Sequence, residues 1–259
     1  MTVLRWSFSV PAMRELSETE AKKLRAGDGH YTAYVGPPKE YDFMGATQFR
    51  LLCALGLRDH HRTLDFGCGS LRLGRLLIPY LQRKRYFGIE PNTWLIEDAI
   101  SSQLGHDILR IKEPRFSDSG SFDAGVFATH FNFIVAQSIF SHAGPDLVQR
   151  TLRSFAEWLE PDGICLATFI EGEDQTVGDG WHYPHCVRYS REGVAAFLDG
   201  AALHGFAIPW FHPRQTWFLF ARDIAALPPV TQAHLLTGVI LRAPEFANSV
   251  PPADAKNRS

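Results

Sequence analysis

From residue 62 onward, short apolar runs alternate with stretches of helical period, the arrangement of βαβ units on a parallel sheet. The runs predict strands at 62–66, 86–90, 107–111, 132–137 and 163–170, with helices in the gaps. After Gly144, Val148, Leu152, Phe155 and Leu159 recur at helical spacing and "EPDG" from Glu160 is expected to stop the helix, whose apolar stripe covers the sheet. A helix over 191–204 and strands at 206–211 and 216–222 then suit a sheet finished by an antiparallel hairpin. The pattern predicts a doubly wound α/β domain over 46–224, with about seven strands and helices on both faces.

The flanks read differently. In "ELSETEAKKLRAGD" (15–28), Ser17 and Glu20 are spaced as a capping box for a polar, charge-rich helix ending near Gly27. The following "GHYTAYVGPPKEYDFMG" is too rich in Gly, Pro and Tyr for a regular element, and an apolar helical pattern occupies 46–57. Residues 1–45 are thus expected to form a helical, tyrosine-bearing lid able to close over a ligand. Residues 225–249 read as a C-terminal helical extension, and 250–259 as a disordered tail with no apolar face to bury.

Composition narrows the function classes. The 259 residues are 45% hydrophobic and 21% charged, as expected of one large globular domain with a small appendage. A net charge of -2 and a pI near 6.6 give no broad basic field for a phosphate backbone, which disfavours a nucleic-acid partner. Cys53, Cys68, Cys165 and Cys186 form no CxxC pair and read as reduced thiols. No apolar run approaches the roughly 20 residues of a membrane span, and residues 1–14 lack a signal-peptide pattern, so no membrane partner is expected and the cytoplasm is the expected location.

The chemistry concentrates in "LDFGCGSLRLG" (64–74), a strand ending in an acid, then Gly67 and Gly69, then a helix expected to begin near Ser70. Glycines there let the backbone turn sharply and approach a ligand closely, and the helix start offers free N–H groups. Sixteen residues after Gly74, the strand "YFGIE" ends in Glu90, where a carboxylate can accept both hydroxyls of a ribose lying across the strand tips.

"LDFGCGS" resembles the first motif of class I S-adenosylmethionine-dependent methyltransferases, and "GIEPN" resembles their second-strand acidic motif. "FNFIVAQSIFSH" from Phe131 and "LEPDGICLATF" from Leu159 resemble the fourth-strand and fifth-strand motifs, so the similarity covers roughly residues 62–170 in order. The resemblance implies a Rossmann-like, mostly parallel sheet, S-adenosylmethionine as cofactor and a small-molecule acceptor of its methyl group. It implies that Asp65, Gly67, Cys68 and Gly69 line the amino-acid end of the cofactor and that Glu90, followed by Pro91, meets the ribose. Asn132 departs from the family, which often has Asp there. The acid at the adenine end is either Asp118 or Asp123, and both also suit a turn.

Other residues carry two readings each. Arg72 opposes the dipole of the expected helix, so it either reaches a carboxylate, the cofactor's or that of Glu90, or is a surface arginine. Trp94 either packs on the adenine or belongs to the core. Gln137, Ser138 and His142 follow the fourth strand at its carboxyl end, where open α/β sheets place ligands. Gln137 and Ser138 are assigned to the cofactor, and His142 is either a general base or a structural histidine. His182, His185 and Cys186 match no familiar zinc spacing, so no metal is expected; with Trp181 and Tyr183 they suit an acceptor-pocket wall or plain loop packing. A homo-oligomer stays open. Two rival readings remain, a nucleotide-dependent oxidoreductase, although the third glycine of G-x-G-x-x-G falls late at Gly74, and a non-catalytic binding module.

Overall fold

The computed structural model describes residues 11–174 and 177–239. The helices are α1 (Pro11–Arg14), α2 (Glu18–Ala21), α3 (Tyr31–Tyr34), α4 (Tyr41–Ala54), α5 (Gly74–Tyr80), α6 (Thr93–Ala99), α7 (His106–Lys112), α8 (Pro145–Trp158) and α9 (Arg191–Asp199). The strands are β1 (Thr63–Phe66), β2 (Tyr86–Ile89), β3 (Arg115–Ser117), β4 (Phe131–Ala136), β5 (Leu159–Glu171), β6 (Arg188–Tyr189), β7 (His204–Ile208) and β8 (Thr216–Ala221). They form one sheet of order β3-β2-β1-β4-β5-β8-β7, with the two-residue β6 beside β5. β1 to β5 run parallel, and β8 is antiparallel to both β5 and β7. The chain order reverses between β1 and β4, which places the ligand crevice of such a sheet at their carboxyl ends.

Strand residues alternate between two cores, because successive side chains point to opposite faces of a sheet. Cys165, Ala167 and Phe169 of β5 and Phe218 and Phe220 of β8 join the core beneath α8 and α9. Ile164, Leu166, Trp217 and Leu219 join the core beneath α4 to α6. Helix α8 follows the N-cap Gly144, opens on Pro145 and buries Leu147, Val148, Leu152 and Phe155. Each such side chain contributes about 1.5–3 kcal/mol of burial free energy.

The differences from expectation have local causes. Residues 107–111 are helix α7, and the third strand follows at 115–117. The run "DILRI" is too short for periodicity to tell helix from strand. In the helix, Ile108 and Leu109 pack against the core while Ile111 stays exposed; Asp107 in the first turn and Arg110 and Lys112 in the last suit the dipole. Glu113 ends it with φ 47°. Helix α8 stops at Trp158, and "EPDG" lies within β5. The capping box of Ser17 and Glu20 forms, yet it opens only the four-residue α2. The 46–57 helix starts earlier, at Tyr41, and α9 ends at Asp199 before Gly200. Through Val239 the C-terminal extension carries 3-10 turns at Ile224–Ala226 and Val230–Leu235 rather than an α-helix. The expected tail at 250–259 lies outside the described residues, as do 240–249. No helix among the described residues is long and apolar enough to cross a membrane.

Candidate active site

The glycine loop is held by its backbone. Gly67 and Gly69 have φ of +72° and +51°, a region costly for a residue with a Cβ. A Cβ on Gly67 would lie 2.1 Å from Ile139 Cδ1, and one on Gly69 would lie 2.7 Å from Val35 Cγ1. Cys68 N donates to Ile89 O at 2.9 Å, tying the loop to β2. The Cys68 thiol is buried, and burial pushes it well above its ordinary pKa.

At the tip of β2, buried Glu90 accepts from Gly69 N at 3.1 Å through one oxygen. The other accepts from Asn92 N at 2.8 Å and Asn92 Nδ2 at 2.9 Å. The carboxylate is therefore fixed beside the loop, and each of its oxygens can accept more than one hydrogen bond. Pro91 follows it, exposed.

Asp65 lies under the loop at the end of β1, and its Oδ2 accepts from the Tyr86 hydroxyl at 2.9 Å. Burial raises its pKa to about 7 against the lowering effect of that bond. The helix expected near Ser70 begins at Gly74, so Arg72 precedes it and no dipole argument applies to that side chain. Gly74 itself packs on the sheet, where a Cβ would come within 2.6 Å of Tyr86 Oη. It therefore plays no part in a G-x-G-x-x-G phosphate turn.

Arg72 Nη1 donates to Val35 O at 3.0 Å, and Nη2 donates to Gln137 Oε1. Gln137 also faces Ser138 and, at 3.1 Å, Nε2 of His212. Ser138, with φ +61°, is pinned by its N–H to Thr168 Oγ1 at 2.8 Å. Burial lowers Arg72 to about 10 and His212 to about 3, the latter also by the neighbouring Arg214 and Arg72.

His142 sits in a 3-10 turn after β4, with Nδ1 2.8 Å from the His185 carbonyl. That partner requires Nδ1 to carry the proton, which leaves the Nε2 lone pair free. Desolvation lowers its pKa, so the neutral form holds at pH 7. Trp181 and Tyr183 lie edge-on to its ring at centroid distances of 5.6 and 5.1 Å. Tyr34 joins Tyr183 at 5.8 Å and Trp94 at 5.3 Å, while the Arg14 guanidinium lies 5.0 Å from Trp94. Trp94 thus docks the N-terminal segment.

Asp123 caps the turn Ala124–Phe127 through Gly125 N at 2.8 Å and accepts from Ser154 Oγ at 2.7 Å, so both contacts hold local structure. Asp118 is exposed just after β3, beside the Glu90 N–H to Ser117 O bond of 2.9 Å. Asn132 accepts from Arg62 N at 2.9 Å and fastens β4 to the start of β1. His182 Nε2 contacts Gly178 O, and no group of three or more His, Cys, Asp or Glu among the described residues is placed to hold a metal.

The sequence reading missed Gln48, His212 and Gln215, which join Gln137 and Ser138 from α4 and from the β7–β8 connection. Their one signal is a histidine within the turn-rich "FHPRQ" between two strands.

Residues 64–165 match the family model described as a methyltransferase domain. Among solved structures, the chain is similar to an S-adenosylmethionine-dependent methyltransferase from Clostridium acetobutylicum, at 13% identity and TM-score 0.52, over 70% of this chain and 92% of the other. It is also similar to the CcbJ methyltransferase from Streptomyces caelestis, at 15% identity and TM-score 0.54, over 72% and 96%. Magnesium protoporphyrin IX methyltransferase from Synechocystis, with bound S-adenosylmethionine, aligns at 12% identity and TM-score 0.52, over 71% and 84%. At these identities the structural likeness speaks for the fold.

Proposed function

We propose that the chain, whose residues 64–165 match a methyltransferase-domain model, is a class I S-adenosylmethionine-dependent enzyme that transfers the methyl group to an oxygen or nitrogen of a small-molecule acceptor. The two-glycine cradle and the carboxylate of Glu90 suit the cofactor, because a Cβ would fill the turn and a fixed anion suits a vicinal diol. When bound, S-adenosylmethionine supplies an electrophilic methyl on its sulfonium. In this reading Gly67, Cys68 and Gly69 bring backbone close to the cofactor, Glu90 holds the ribose, and Asp118 is better placed than Asp123 for the adenine end. Val35 and Ile139 pack over the loop and help exclude water.

The observation that carries the acceptor half is His142. Its Nδ1 is committed to the His185 carbonyl, its pKa is lowered, and its ring lies between Trp181 and Tyr183. Nε2 is the base that takes the acceptor's proton, while the rings hold the acceptor for in-line displacement. The free thiols of Cys53, Cys68, Cys165 and Cys186 support a reducing compartment, the cytoplasm. The test is transfer of labelled methyl to a panel of phenols, amines and carboxylic acids. His142→Phe is expected to lower kcat about 10²–10⁴-fold while S-adenosylhomocysteine binding stays unchanged. The wild-type rate should climb with pH only below about 6.5 and then level off, because the base must be unprotonated. Tight cofactor binding with no transfer to any acceptor would overturn the reading.

A further inference from the structure

Resting on that reading, we propose that the acceptor is acidic, a planar small molecule whose carboxylate is received by Arg72 with Gln48, Gln137 and His212 around it. Arg72 is a desolvated cation with a carbonyl and an amide oxygen as partners, and no ion pair of its own among the described residues. A guanidinium withdrawn from water in this way gains most from a bidentate carboxylate. Part of its surface stays accessible.

Around it, donors crowd on Gln137. Gln48 Nε2 donates to Gln137 Oε1 at 3.3 Å, the oxygen already used by Arg72. His212 Nδ1 accepts from Arg214 N at 3.1 Å and Gln215 N at 2.9 Å, which puts the proton of the neutral ring on Nε2. That N–H faces the amide nitrogen of Gln137 at 3.1 Å, donor against donor. Turning the Gln137 amide would give the His212 N–H an acceptor but set the Gln137 N–H groups against the guanidinium and Gln48 Nε2. Gln215 Nε2 donates to Ser138 Oγ at 2.9 Å, and its Oε1 is buried without a hydrogen-bond partner. An anion supplies the missing acceptor.

The position selects the acceptor over the cofactor. Gln137, His212 and Gln215 lie at the β4 end and the β7–β8 connection, on the other side of the β1/β4 reversal from Glu90, and Arg72 extends toward them from the loop after β1 through its bond to Gln137 Oε1. Tyr34, whose neighbour Val35 bonds Arg72, leads to Tyr183, His142 and the half-exposed Trp181, a row of rings suited to a planar body.

The test titrates benzoate, and benzamide as its uncharged counterpart, into protein saturated with S-adenosylhomocysteine, reading tryptophan fluorescence. Wild type is expected to prefer benzoate by about tenfold or more. Arg72→Met should abolish the preference, Arg72→Lys should retain part of it, and both should keep S-adenosylhomocysteine affinity within about threefold. Equal binding of the two probes by wild type overturns the proposal, and that comparison needs no variant to fold. A benzoate preference surviving in Arg72→Met, with S-adenosylhomocysteine binding weakened tenfold or more, also overturns it and assigns the arginine to the cofactor's own carboxylate. Wild type that fails to bind S-adenosylhomocysteine yet prefers benzoate would refute the methyl-transfer reading and leave this site standing.

Discussion

The two halves of the crevice are built from different materials. On the β1–β2 side, ligand geometry comes from backbone: two glycines at positive φ, a loop amide on Ile89 O and another on Glu90, all within 67–92. On the β4–β8 side it comes from side chains drawn from 34–48, 137–142, 181–185 and 212–215, joined by Arg72, which reaches across from the loop after β1. A backbone site cannot change without breaking the turn, whereas a side-chain site can be respecified residue by residue. A common cofactor suits the first construction, and a particular acceptor suits the second.

Gly67→Val should break the first half most severely. It forces a β-branched residue to φ +72° and against Ile139, costing roughly 3–5 kcal/mol from backbone strain and overpacking together. S-adenosylhomocysteine affinity should fall at least about 100-fold in calorimetry, with a lowered Tm. A variant that binds normally would show that the loop is not the cradle. Glu90→Ala should cost about 10–100-fold in the same titration, the range of one charge-assisted acceptor, while the benzoate preference of the other half stays intact.

Asp65→Asn sharpens the comparison through pH. The native carboxyl keeps its proton up to about 7, whereas an unfolded aspartate releases it near 3.9. Its contribution is therefore full below about 3.9 and is lost as pH rises through 7. Asn should stabilise the protein at pH 8 by roughly 1–4 kcal/mol in urea unfolding and change little at pH 4. His212 works in the opposite direction. Its folded pKa lies near 3 against about 6.5 unfolded, so its contribution is full above 6.5 and is lost as pH falls toward 3. The smallest expected effect separates two acids. Asp118→Asn should weaken S-adenosylhomocysteine a few-fold without altering Tm, and Asp123→Asn should lower stability by about 0.5–2 kcal/mol through its cap with little change in binding.

The same division explains how much the sequence revealed. The strand runs, Gly67, Gly69 and Glu90 were legible because a sheet of period two and a tight turn each impose local residue choices. Residues 107–111 misled because three apolar positions in a short run satisfy a strand and a helix alike, and only packing of Ile108 and Leu109 decided between them. Arg72 was noticeable in the sequence for its charge, but its partners Gln48, Gln137 and His212 were not legible together. They lie 89 residues apart (Gln48–Gln137) and 75 apart (Gln137–His212), in segments of no common period. Asp123 shows the converse, an acid in a plausible place whose contacts are those of a turn cap.

The most direct test of the account is calorimetric titration of the wild-type protein with S-adenosylhomocysteine, with a nicotinamide dinucleotide in parallel. One saturable site per chain is expected for S-adenosylhomocysteine and none for the dinucleotide. Binding of the dinucleotide instead, or of neither, would contradict it.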